Sequence, residues 1–393
     1  DRRHRAGPCA TDRDPAMERS ELTAWLRLTL TPGVGDHTMR RLLALCGLPG
    51  QVFQQPALWQ GHVSAAQAQA LSVEPEGLAA LAEATWQWLQ AAADGVGRRV
   101  LTLADAAYPA PLLATEDPPP LLYVMGPEHA LGGASVFPAN PCMAIVGSRN
   151  PTAQGAVHAR QFAKALREAG LCIVSGMALG VDAAAHEGAL EDAPEVCLAT
   201  IAVVGTGLDR VYPSRHRALA HRIARHGLLV SEYPLGTPPL AANFPKRNRI
   251  IAGLSQGTLV VEAALQSGSL ITARLAAEQG REVFAIPGSI QSPQARGCHA
   301  LIRQGAKLVE TVQDVLEELR LPAPAVAVQP AVSAEAQESV EPLLSAMGWD
   351  PVGLDALIAR TGMDTATLQV ALLEHELAGR VARLPGGSFQ RMA

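Results

Sequence analysis

The segment Asn243-Phe244-Pro245-Lys246-Arg247-Asn248-Arg249 brings three cations into four residues of a chain whose formal net charge is −5. Ammonium and guanidinium groups at this density attract polyanions, and the guanidinium fork matches phosphate. The apolar run Ile250-Ile251-Ala252-Gly253 follows directly and has to pack. The cations are therefore tied to an ordered element. That pattern fits one polyanionic ligand held at one place, and the plain alternative is a solvated charged helix end. With an acidic balance overall, a nucleic-acid site has to be a local patch.

Glycine-rich segments are the second chemical feature. Gly147-Ser148-Arg149-Asn150-Pro151-Thr152, Ser175-Gly176-Met177-Ala178-Leu179-Gly180-Val181-Asp182 and Gly205-Thr206-Gly207-Leu208-Asp209 each follow a short apolar run, as does Pro287-Gly288-Ser289. Glycine lets backbone amides come close to a phosphate, and a helix start behind them completes an anion nest. A plain strand-to-helix turn is the alternative for the first of these. Arg149 argues against it, because a guanidinium straight after a buried strand needs an anionic or planar partner. The dinucleotide pattern G-x-G-x-x-G is absent, as is the phosphate loop G-x-x-x-x-G-K-[ST]. Asp182 and His186 stand four apart, a spacing open to acid–base work but more simply a helix-stabilising pair. Glu262 follows a strand and is a candidate catalytic carboxylate. No Ser-His-Asp or Cys-His arrangement, metal site or cofactor site follows from the spacing.

These loops have to be positioned by an alternating framework. Short β-branched runs predict strands at Met143–Val146, Leu171–Val174, Thr200–Val204, Leu228–Val230, Thr258–Val261 and Glu282–Ile286. Amphipathic segments at Ala156–Ala169, Pro213–His226 and Ser269–Gln279 lie between them, ending at Gly170, Gly227 and Gly280. The series predicts an α/β class, a doubly wound parallel sheet over 142–320, with ligands beyond the carboxyl ends of the strands. Residues 17–95 read as all helical. Their turn Thr31-Pro32-Gly33-Val34-Gly35 fits either a DNA-contacting helix-hairpin-helix element or an ordinary helical hairpin. Residues 96–141 read as a Pro-rich connection with an extended piece at Leu121–Met125. Residues 321–341 read as a flexible linker, and 342–393 as a small winged-helix-like module whose wing turns at Gly386-Gly387.

The hydrophobic fraction of 48% is ample for a large core, and with aromatics at only 4% that core is aliphatic. The six cysteines form no C-x-x-C pair, which fits a reducing cytoplasm. No apolar run reaches the roughly 18 residues that span a membrane. Residues 1–16 are polar and are expected to precede the true start at Met17.

Ile145-Val146-Gly147-Ser148-Arg149, the Ser175–Asp182 segment, Ser231-Glu232-Tyr233-Pro234, Phe244-Pro245-Lys246-Arg247-Asn248-Arg249-Ile250-Ile251 and Ser267-Gly268-Ser269-Leu270-Ile271-Thr272 occur in that order. Together they strongly resemble the DNA-processing protein A family (DprA, also called Smf). The resemblance is dense over 142–320 and looser on either side. Gly126–Pro141 is longer than the family pattern needs, and residues 1–16 match nothing in it. The resemblance implies an extended Rossmann-like core, a helical sterile-alpha-motif-like or helix-hairpin-helix domain before it, and a winged-helix-like domain after it. It also implies a homodimer with no established catalytic activity that binds single-stranded DNA in natural transformation, protects it and loads RecA recombinase onto it, displacing single-strand-binding protein. The DNA-binding residues it implies are Gly147, Ser148, Arg149, Ser175, Gly176, Phe244, Lys246, Arg247 and Asn248. Arg249 completes the cationic cluster.

Three to five neutralised phosphates predict a log–log salt slope of roughly −2 to −4 for single strands. Phe244 stacking on one base would add roughly 1–3 kcal/mol. The winged-helix-like module is weighted toward protein contacts, since Asp364–Leu377 carries no cation. Two rivals remain: a Rossmann-like nucleotide hydrolase of the lysine-decarboxylase-like group using Glu262, and a scaffold that meets DNA only through RecA.

Overall fold

The computed structural model describes residues 17–91, 95–133, 135–195, 197–321, 342–384 and 386–392. The expected upstream extension at 1–16 and almost all of the expected linker lie outside them. The described residues fall into two compact units, one from 1–142 and 192–255, the other from 143–191 and 256–393.

In the first unit, helices Arg19–Leu30, Asp36–Cys46, Pro49–Gln54, Ala65–Ser72 and Leu78–Gln90 come before any strand. Leu28, Met39, Leu42, Val52, Trp59 and Leu71 form a buried core among them. The strands Val96–Thr102 (β1) and Leu121–Pro127 (β2) pair antiparallel, so the stretch expected to be connective carries structure. The Gly126–Pro141 segment, which no element had been assigned, contains a short helix at Glu128–Leu131.

The following strands are Cys142–Val146 (β3), Cys172–Ser175 (β4), Thr200–Val203 (β5), Gly227–Ser231 (β6), Gly257–Val260 (β7), Glu282–Ala285 (β8) and Lys307–Leu308 (β9). In the first unit their order is β1-β2-β6-β5. There β2 pairs antiparallel with β6, and β5 pairs parallel with β6. Helix Arg217–His226 joins β5 to β6, and helix Asn243–Leu254 follows β6.

In the second unit the order is β4-β3-β7-β8-β9, with parallel pairing from β3 through β9. Strands β3, β4 and β7 are buried throughout, as their apolar runs require, and Ile145, Ile173, Leu259 and Phe284 are fully inaccessible. Helices Ala153–Glu168 and Val181–Leu190 follow β3 and β4, placing both helix starts beyond the carboxyl ends of those strands. Residues 342–392 add three helices and the strands Val352–Gly353 (β10), Val381–Arg383 (β11) and Ser388–Arg391 (β12), ordered β10-β12-β11, around their own apolar core. This is a winged-helix arrangement, with the wing strands on either side of Gly386-Gly387.

Candidate nucleic-acid interface

The expected DNA-binding residues divide between the two units. In the second, Gly147, Ser148 and Arg149 follow β3, and Ser175 and Gly176 end β4. The two segments meet backbone to backbone. The Val181 amide donates to the Ser148 carbonyl at 3.1 Å. Gly180 has φ +83°, and a Cβ there would lie 2.4 Å from the Ser148 carbonyl oxygen. A Cβ on Gly147 would lie 2.7 Å from Val181 and 2.9 Å from the Glu262 carbonyl. These glycines are required by close approach within the protein, whatever they do for a ligand. The Ser175 hydroxyl is buried and donates to the Ile145 carbonyl at 2.6 Å, fixing the end of β4 to β3. Arg149 is exposed.

The anion nest is smaller than the glycine pattern predicts. The Asn150 amide donates to Ser148 Oγ at 3.1 Å, and the Ala178 amide to Asp182 Oδ2 at 3.2 Å. The Thr152 amide and hydroxyl donate to Glu262 Oε2 and Oε1 at 2.9 and 2.5 Å. Thr152 in turn caps its helix by accepting from the Gly155 amide at 3.0 Å. Both Glu262 oxygens thus accept from the start of that helix. His158 lies beside this carboxylate, and burial lowers its pKa while Glu262 pulls it upward.

In the first unit, helix Asn243–Leu254 carries Phe244, Lys246, Arg247, Asn248 and Arg249 in its first two turns. The structure corrects the expectation of three cations on one exposed patch. Lys246 is exposed, but Arg247 and Arg249 retain only 4% and 9% of their accessible surface. Asn243, Arg247, Ile250, Ile251 and Leu254 are all buried, the i, i+4, i+7, i+8, i+11 stripe of an inward face. Arg247 therefore points into the fold, where its Nη1 donates to the Val203 carbonyl at the end of β5. Asn243 Nδ2 donates to the Gly205 carbonyl at 3.0 Å, so the helix start is tied to the loop after β5. Phe244 packs over that loop, with Gly205 beneath it and Tyr212 against it at 5.6 Å between ring centroids.

Arg249 belongs to an ionic network. Its Nη2 lies 2.5 Å from Glu232 and 3.5 Å from Asp36, and its Nε lies 3.2 Å from Asp117. Lys246 reaches Asp36 at 2.8 Å and Glu232 at 3.4 Å. Arg40 closes the set on Asp117 at 2.5 Å. Burial raises the Glu232 carboxyl above the usual carboxylate range, with Arg249 and Lys246 working against it. Burial would lower the Lys246 ammonium, but Glu232 and Asp36 reverse this and hold it above its ordinary value. Asp36 sits in the first turn of its helix, directly after the Thr31–Gly35 turn, where a negative charge favours the helix start.

The profile described as DNA recombination-mediator protein A matches residues 99–320, more than half of the chain. The chain belongs to that family, known as DprA or Smf. The DprA winged helix domain profile matches residues 322–387. Among DprA/Smf relatives, protein Smf of Escherichia coli strain K12 is 45% identical over 287 residues, covering 71% of this chain and 74% of that protein. DNA processing protein DprA of Streptococcus pneumoniae is 46% identical over 217 residues, covering 55% and 73%. The crystal structure of a DprA from that organism aligns with a TM-score of 0.58 at 35% identity, covering 77% of this chain and 98% of the other. Among the described residues, no helix is long and apolar enough to cross a membrane.

Proposed function

We propose that this DprA/Smf protein binds single-stranded DNA in the cytoplasm during natural transformation, protects it, and delivers it to RecA recombinase, acting as a homodimer without catalysing a reaction. Membership of a family of recombination mediators supports the reading. The observation that carries the DNA contact is Lys246 and Phe244 presented together at one rigidly anchored helix start, with Tyr212 against the ring. In the other unit, exposed Arg149 follows a strand whose loop is locked in place.

Roles divide by exposure. Lys246 and Arg149 supply countercharge, and Phe244 supplies a face for one base. Gly147, Ser148, Ser175 and Gly176 set the loop shape that lets a strand come close. Arg247, Asn248 and Arg249 belong to the helix that presents Lys246, and Arg247 and Arg249 act by fixing it. A paired duplex hides its base faces from Phe244, so unpaired DNA is preferred. Against the hydrolase alternative, the Glu262 carboxylate on which it depends accepts from the start of helix Ala153–Glu168.

Fluorescence anisotropy with labelled single- and double-stranded oligonucleotides of about 20 nucleotides, at two salt concentrations, tests the reading. Single strands are expected to bind more tightly and to weaken with salt, each neutralised phosphate contributing about −0.7 to the log–log slope. Equal or tighter binding of the duplex would contradict it. For the mediator role, purified RecA should form filaments faster on strands coated with single-strand-binding protein when this protein is added. No acceleration would remove that step alone.

A further inference from the structure

Between Arg210 and His226 the chain holds five arginines and three histidines and no acidic residue, in a protein of net charge −5. Helix Arg217–His226 buries Leu219, Ala220, Ile223 and Ala224 against β2, β5 and β6. Arg217, His221, Arg222 and Arg225 fall on its other side and are exposed. Arg217, His221 and Arg225 recur every fourth residue, which aligns them in one row with a rise of about 6 Å per step. Arg210 and Arg215, also exposed, extend the basic stretch to either side of Tyr212 in the chain. Tyr212 is itself 48% exposed and packs on Phe244.

Three of these arginines meet no acid inside the unit. Among the described residues, Arg215, Arg217 and Arg222 have no ion-pair partner, and Arg210 is paired only with its neighbour Asp209 at 3.3 Å. Like charges one turn apart on a helix, as Arg222 and Arg225 are, repel, and Arg217 at the helix start opposes the dipole. A solvated helix face ordinarily mixes signs, whereas this one carries a single sign along its length. The helix begins beside the loop after β5, where the Tyr212–Phe244 pair lies, and runs back toward the start of β6.

The geometry points to a phosphodiester track: a single strand whose base stacks at Tyr212 and Phe244 continues over the outer face of helix Arg217–His226, its phosphates taken by Arg215, Arg217 and Arg222. The inference rests on the single-strand reading above. DNA is favoured over an acidic protein surface because the basic stretch adjoins an aromatic pair whose Tyr212 is exposed, and base faces stack on such rings.

The test is a triple variant, Arg215→Gln with Arg217→Gln and Arg222→Gln, titrated against labelled oligothymidines of about 6 and about 30 nucleotides over a salt series. The short oligonucleotide should bind within about twofold of wild type, being held at the aromatic pair alone. For the long one the log–log salt slope should become shallower by about 2, three contacts at about 0.7 each. The matching triple Arg→Lys variant should restore the wild-type slope, separating lost charge from a disturbed fold. Equal slopes for wild type and the Gln variant on the long strand would overturn the track while leaving the single-strand reading intact. If wild type binds neither oligonucleotide, that reading and the track fall together. If the Gln variant keeps both DNA slopes but loses binding to polyglutamate, the face belongs to an acidic protein and the track is wrong.

Discussion

Two groups of cations in the first unit have opposite surroundings. Arg247 and Arg249 lie inside, one on a backbone carbonyl and the other among three carboxylates, with Lys246 at the edge of the same network. Arg215, Arg217 and Arg222 lie outside, over an apolar helix underside, with no internal acid to meet. The network around Arg249 is matched charge for charge: Lys246, Arg249 and Arg40 face Asp36, Asp117 and Glu232. A buried guanidinium is expensive to desolvate and is kept only where partners satisfy it. An exposed row of one sign is left for something external. Motif density alone therefore misleads about which arginines meet a ligand, and partnership separates them.

The contrast can be broken by mutation. Arg249→Ala should cost roughly 3 kcal/mol of folding stability, because it takes the nearer cation from the buried Glu232 and removes the tie to Asp117; a chemical melt within about 1 kcal/mol of wild type, on the order of an exposed pair, would show the network to be dispensable. Gly180→Ala should cost more than about 1 kcal/mol, since its φ of +83° is strained for alanine and the new methyl meets the Ser148 carbonyl. Thr152→Ala should cost about 1 kcal/mol by removing the helix cap and one Glu262 contact, while Glu262→Gln should leave oligonucleotide binding unchanged. At the small end, Arg222→Ala should move the melt by no more than about 0.5 kcal/mol. A larger shift would mean that the outer row also serves the fold.

Much of this was legible in the chain itself. The six central strands lie within one residue of the runs that predict them at every boundary, because buried parallel strands are apolar and stop where glycine, proline or polar residues follow. β1 was hidden by Arg98 and Arg99, which break the apolar pattern yet find partners, Arg98 over the Trp88 ring at 5.4 Å and Arg99 on the Leu131 carbonyl at 3.2 Å. β9 is two exposed residues and carries no signal. The inward direction of Arg247 was readable, since it shares a helical stripe with Ile250, Ile251 and Leu254. The burial of Arg249 was not. Its carboxylates Asp36 and Asp117 stand far off in the sequence and meet it only through tertiary structure. The basic row was present in the sequence but masked by the acidic average of the whole chain.

The direct test of the account is the affinity of the double variant Arg149→Ala with Lys246→Ala for a single-stranded oligothymidine, measured beside its thermal melt. Both side chains are exposed and Glu232 keeps its Arg249 partner in the variant, so the protein should still fold, which the melt checks. Binding should weaken by about tenfold or more, the scale of a lost charge-assisted contact. A folded double variant that binds the strand as wild type does would place the DNA elsewhere on the molecule.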